Sequence, residues 1–183
     1  MRPGHITTQL RSWTLQPFMP VSAEVYSDIQ QFLIYEALLL DHGCLDHWAG
    51  LLARDVSYRI CNCSGQDRTG LTTAEYIDSS RQSLLRRLLP SEQTASNDET
   101  RPPNTRRFVT NVSVSFAHCW NEYDVVSYLR VARIGHSGGT GDCAWSAERR
   151  DLLRVTNRSF AISRRELLID SIEPGSSDLA KFL

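Results

Sequence analysis

No stretch of this chain is apolar for anything near the ~20 residues that a membrane-spanning helix needs, so a bilayer is not among the expected partners. Neither sign of charge dominates. Twenty Lys and Arg stand against 21 Asp and Glu, and the formal net charge of −1 gives no electrostatic case for nucleic acid or an acidic membrane surface. Cysteine is sparse as well: five residues, an odd number without regular spacing, read as reduced thiols rather than a disulfide framework. The opening residues, MRPGHITTQLRSW, lack the apolar core of a secretory signal, and cytoplasm is the default expectation. There is no internal repeat.

What is present suits one globular domain: 183 residues, 41% of them hydrophobic. Its most informative stretch is Glu148–Asp170, ERRDLLRVTNRSFAISRRELLID. Leu153 and Val155 alternate with polar neighbours, as do Phe160 and Ile162, and period two is the strand signature. A polar turn at Asn157–Ser159 joins the two arms. Beyond Arg164 the apolar positions change parity, to Leu167 and Ile169, which predicts a bulge or bend near Arg164–Glu166. The expected sheet is antiparallel, twisted and bent.

Ahead of it the chain reads as helical. Residues 1–20 form a candidate extended arm carrying Trp13, Phe18 and Met19, and residues 21–183 a single α+β domain. Ser22 is placed to cap a helix over Ala23–His42, with Glu24 in its first turn and Gly43 at its end. Phe32, Leu33, Ile34, Tyr35, Ala37, Leu38, Leu39 and Leu40 circle that helix, so it should be covered on more than one side. Leu45, Trp48, Leu51 and Leu52 predict a short second helix, and Val56–Ile60 a first strand. Thr72 and Glu75 have capping-box spacing before a third helix with Ile77, Leu84 and Leu88 on one face; Arg81, Arg86 and Arg87 fall on its solvated or interface side. Pro90–Asn104 reads as a mobile loop. Phe108, Thr110, Val112, Val114, Phe116 and His118 are expected on one face of a long strand, with Val125–Ile134 as its hairpin partner. Helices first and strands after is an α+β order, with the helices on one face of the sheet.

Several separated blocks are similar to one family. QQFLIYEALLLDHGCLDHWAGLLARDVSYRI, TRRFVTNVSV, ERRDLLRV, SFAISRRELLID and DLAKFL, in that order over residues 23–183, resemble the small (β) subunits of bacterial aromatic-ring-hydroxylating dioxygenases. The resemblance implies a cone-like fold of the nuclear-transport-factor-2 (NTF2) type, in which a strongly curved antiparallel sheet wraps a long helix with two further helices. It also implies a non-catalytic structural subunit of an oxidoreductase. Its large (α) subunit would carry a Rieske [2Fe–2S] cluster and a mononuclear Fe(II), often as α3β3, with electrons from NAD(P)H arriving through ferredoxin and reductase components. The chain departs from the family pattern in ICNCSGQDR after Arg59, in the loop before Pro102, and in having Phe160 where tryptophan is usual.

The residues agree that the chemistry lies elsewhere: no catalytic, cofactor-binding or metal residue is expected in this chain. A Rieske centre needs cysteines and histidines in paired local spacings, and Cys61-Asn-Cys63 has no Cys-x-His companion. His42 and His47 have no carboxylate placed to complete a facial triad. Gly135–Gly141 lacks the lysine of a phosphate-binding loop and separates two strands, so it reads as a hairpin loop. Glu36 interrupts the most apolar helix. Its plain role is a structural carboxylate paired with an arginine of the sheet. The sharper alternative makes it a general base in a pocket with His118, Tyr58 or Asp55, as in a stand-alone isomerase, dehydratase or small-molecule binder of the same fold. A third possibility is an assembly module unrelated to oxygenases. Of Arg149, Arg150, Arg164 and Arg165, one of each adjacent pair should meet carboxylates of a partner and the other stay solvated.

Overall fold

The computed structural model describes residues 21–62, 84, 104–134, 143–157 and 159–170. They form α1 (Ala23–Asp41), α2 (Leu45–Gly50), β1 (Leu52–Asn62), β2 (Asn104–Phe116), β3 (Glu122–Ile134), β4 (Cys143–Val155) and β5 (Phe160–Ile169). The expected arm, the glycine-rich turn and the carboxy-terminal tail lie outside the described residues, as does the third helix apart from Leu84. That residue is helical and fully buried in the core.

The strands make one sheet in the order β1-β5-β4-β3-β2. Neighbours from β5 to β2 are antiparallel, but β1 pairs with β5 in parallel, so the sheet is mixed rather than wholly antiparallel. Periodicity predicts a strand at Val56–Ile60, which the structure extends to Leu52–Asn62; it carries no information about the direction of a partner far along the chain. The cone is nonetheless α+β, with the helices on one face.

α1 begins where expected. The Ser22 side chain accepts a hydrogen bond from the Val25 amide at 3.3 Å. At the other end Gly43 takes φ +68°, the left-handed conformation glycine adopts without steric cost, and the chain turns into α2. α2 stops at Gly50 rather than including Leu51 and Leu52: Leu52 is already the first residue of β1, and the Leu51 carbonyl accepts from the Ile162 amide at 2.8 Å. Helix α1 is fixed to β2 at both ends. Tyr26 Oη donates to the Val112 carbonyl at 3.3 Å, and the Arg107 amide and Nη1 donate to Asp41 at 3.0 and 2.8 Å.

Two bulges set which side chains face the helix. On β5 the partners of Leu153 and Leu152 are Ile162 and Arg164, which leaves Ser163 as the extra residue. The bulge therefore falls just before the predicted Arg164–Glu166. Ser163 is tolerated there because its hydroxyl donates to the Leu152 carbonyl at 3.0 Å. Beyond it Arg165, Leu167 and Ile169 point inward. On β2 a second irregularity lies between Thr110 and Ser113, with Asn111 at φ +52°. It overturns the single face expected for this strand. Val112 and Val114 face inward, whereas Phe108 is 53% exposed and Thr110 is exposed on the outer side. Asparagine tolerates the left-handed conformation better than most residues, so the switch sits where the chain can make it.

The core lies between the sheet and α1–α2. Ile29, Leu33, Trp48, Tyr58, Leu153, Ile162, Leu167 and Ile169 are among its largest fully buried residues, and Phe32 packs edge-on against Phe160 at 5.9 Å. The opposite side of α1 is not covered by described residues: Ile34, Tyr35 and Leu38 are 43–50% exposed.

Candidate functional site

Glu36 is the polar residue at the centre of this core, and four elements converge on it. On β4 the inward stripe runs Trp145, Ala147, Arg149, Asp151, Leu153 without interruption, so strand periodicity carries a cation and an anion into the interior. On β5 the bulge does the same for Arg165. α2 contributes Trp48, and β3 contributes Ser127.

The geometry is that of a closed network. Arg165 grips Glu36 with both terminal nitrogens, Nη1 on Oε1 and Nη2 on Oε2, the latter at 2.9 Å. Its Nε and Nη2 also donate to Asp151 at 2.6 and 2.9 Å. Arg149 Nη1 reaches Glu36 Oε2 at 3.3 Å, while its Nε lies 3.1 Å from Asp151 Oδ2 and 3.2 Å from Ser127 Oγ. Trp48 Nε1 donates to Glu36 Oε1 at 3.1 Å. Two carboxylates and two guanidiniums balance in charge, and bidentate arginine–carboxylate pairing is the strongest form such contacts take. The Tyr58 ring lies 5.7 Å from the Arg165 guanidinium carbon.

Burial would raise the Glu36 carboxyl, but Arg165 and Arg149 overcome it and hold the group down at about 2. Burial pushes the Tyr58 hydroxyl up. Desolvation also works against the charge of Arg165, yet Asp151 and Glu36 keep it raised well above the ordinary arginine range. Glu36 and Arg165 thus favour each other's ionised state. A general base poised for proton transfer near neutrality needs the opposite arrangement.

Little room is left beside the network. A cavity of about 10 Å³ is bordered by Glu36, Tyr58, Arg107, Leu129, Arg149 and Leu167, roughly the space of one water molecule.

The plain role expected for Glu36, pairing with an arginine of the sheet, is what the structure contains. Of its alternative companions, Tyr58 is near. His118 is exposed in the turn after β2, and Asp55 sits on the surface with Arg154 at 3.0 Å. The adjacent arginines do divide between faces: Arg149 and Arg165 are buried, Arg164 is exposed and Arg150 partly so. The inward members meet carboxylates of this same chain rather than a partner's, because the helix brings Glu36 to them. Asp151 and Ser127 are not among the residues that the sequence pattern marks, and Trp48 is marked only as an apolar position of the second helix. Asp151 was legible nonetheless, since it shares the parity of Leu153. Cys63 and the side chain of Cys61 lie outside the described residues. His42 and His47 are exposed, and among the described residues no three His, Cys, Asp or Glu side chains gather to hold a metal.

Fold and interior together define a curved-sheet α+β cone whose centre is packed with paired charge. The family model for the ring hydroxylating beta subunit matches residues 35–172. The benzene 1,2-dioxygenase subunit beta of Pseudomonas putida is 30% identical over 172 residues, covering 89% of this chain and 91% of that protein. The chain therefore belongs to the ring-hydroxylating β-subunit family, the small subunits of multicomponent oxidoreductases whose partner is a large α subunit. In fold it is similar to a chain of naphthalene 1,2-dioxygenase solved with indole bound in the active site. The TM-score is 0.66 at 20% identity, over 87% of this chain and 84% of that one. A Catenulispora acidiphila protein solved in complex with S-DNPA shares the fold at a TM-score of 0.59 and 17% identity, over 81% and 95% of the two chains.

Proposed function

We propose that this chain is the structural, non-catalytic β subunit of a cytoplasmic aromatic-ring-hydroxylating dioxygenase, organised as one domain, residues 21–183, behind an arm of residues 1–20. It would assemble as α3β3 with a large subunit that carries the Rieske [2Fe–2S] cluster and the mononuclear Fe(II). Ferredoxin and reductase components would deliver electrons to that subunit. The observation that supports a non-catalytic role is how little space the described residues leave beside Glu36. Where a pocket enzyme of this fold would need a cavity and a poised acid or base, Glu36, Asp151, Arg149 and Arg165 neutralise one another around space for a single water. No helix among the described residues is long and apolar enough to cross a membrane.

Co-expression with the large subunit tests the reading. The two should co-purify with a mass by light scattering equal to three copies of each, and ring hydroxylation should require the large subunit. The small subunit purified alone should be colourless and free of stoichiometric iron. A monomer that ignores the large subunit, or one that converts substrate alone, would move the protein to the pocket-enzyme alternative.

A further inference from the structure

The cluster at the centre of the cone is built as a receptor for an anion, and the anion it holds is its own side chain. We propose that the cradle made by Arg165, Arg149 and Trp48 is a carboxylate-binding site filled from within by Glu36, and that it takes up a small free monocarboxylate, formate or acetate, once that side chain is withdrawn. The inference rests on side-chain geometry and is independent of the subunit role.

All four hydrogen bonds that the Glu36 carboxylate accepts in the cluster come from outside its own helix: two from Arg165 on β5, one from Arg149 on β4, one from Trp48 on α2. The two arginines have other partners that hold them in place. Asp151 holds Arg165 through two bonds of 2.6 and 2.9 Å and Arg149 through one contact of 3.1 Å, and Ser127 fixes Arg149 Nε at 3.2 Å. Shortening residue 36 to alanine therefore removes the ligand and leaves the receptor standing. It also leaves two buried guanidiniums facing one carboxylate, a net positive charge with a strong demand for a counter-anion.

The cradle has a donor to spare. Arg149 Nη2 is buried without a hydrogen-bond partner, and Arg149 borders the small cavity beside Glu36. Planar, forked donors select a planar two-oxygen acceptor over a spherical halide. Leu40, Leu129 and Leu167 supply an apolar wall that suits a methyl group.

The test is thermal and chemical unfolding of the full chain bearing Glu36→Ala, in sodium formate or acetate against sodium chloride at equal ionic strength, near pH 7. Saturable stabilisation by the carboxylates is expected. The unfolding constant should fall about 100-fold when acetate stands 100-fold above its dissociation constant. Wild type should not distinguish the salts. Glu36→Gln, whose amide stays in the cradle, should not either. If Glu36→Ala is insoluble in chloride, refolding in formate or acetate should recover it. Equal responses to chloride and carboxylate in a folded Glu36→Ala, an equally strong carboxylate response in Glu36→Gln, or failure to recover the alanine variant in any of the salts would each overturn the proposal.

Discussion

Glu36 carries most of what a single side chain can do in this molecule. Its folded value of about 2 lies below the ordinary 4.5, so ionisation stabilises the fold. That contribution is fully present above about pH 4.5 and is lost as pH falls towards 2. The shift corresponds to something on the order of 3 kcal/mol. Glu36→Gln, which keeps the shape and drops the charge, should cost about 1–3 kcal/mol at pH 7, because two buried guanidiniums lose a counter-charge. Denaturant titrations at pH 7, 4.5 and 3 should show the gap between variant and wild type narrowing with acid. A gap that ignores pH would mean that the carboxyl does not titrate in that range. Turnover per assembled oxygenase should stay near wild type; a native melting point with a thousand-fold loss of turnover would mark Glu36 as a catalytic base after all. Arg165→Lys keeps the charge but cannot fork onto Glu36 and Asp151 together, so it should also destabilise by about 2 kcal/mol or more.

At the scale of the element, the two bulges decide which residues meet. Asn111 holds a left-handed conformation that a β-branched residue adopts poorly. Asn111→Val should therefore cost roughly 1–2 kcal/mol, whereas Asn111→Gly should be close to neutral, which parallel melting curves would check. This element also shows what the sequence conveyed. Alternation marked β2 as a strand, and its pattern of apolar residues ran unbroken through Asn111, so nothing in it betrayed the switch of face. On β5 the pattern did change, because Ile162 and Leu167 cannot both face inward without an extra residue between them. That bulge was readable to within a residue. The capped start of α1 and its glycine end were legible from local chemistry. The network around Glu36 was half legible: a buried carboxylate needs arginine, but which arginines depends on strand register far along the chain. The parallel pairing of β1 was beyond reach for the same reason.

For the whole molecule, assembly is the property most open to experiment. The exposed Ile34, Tyr35 and Leu38 on α1, and Trp120 at 92% exposure in the β2–β3 turn, add to the apolar residues of the tail sequence, Leu179, Phe182 and Leu183. Deleting residues 178–183 should weaken association with the large subunit or lower solubility, read by co-purification and light scattering; unchanged assembly would exclude the tail from the contacts. The mixed sheet has a further consequence, for the order in which the molecule can form. β1 is made early but its neighbour is β5, and between β1 and β4 there is no pairing until β5 exists. The same strand brings Arg165 to Glu36. On the ribosome, α1 and β1 must therefore wait with Glu36 lacking its two-pronged arginine partner and a strand edge open while β2, β3 and β4 emerge. Contacts of such long sequence separation make for slow folding. A nascent chain stopped before Phe160 should be protease-sensitive throughout, and one extended past Asp170 should acquire resistance in the helices and the sheet together.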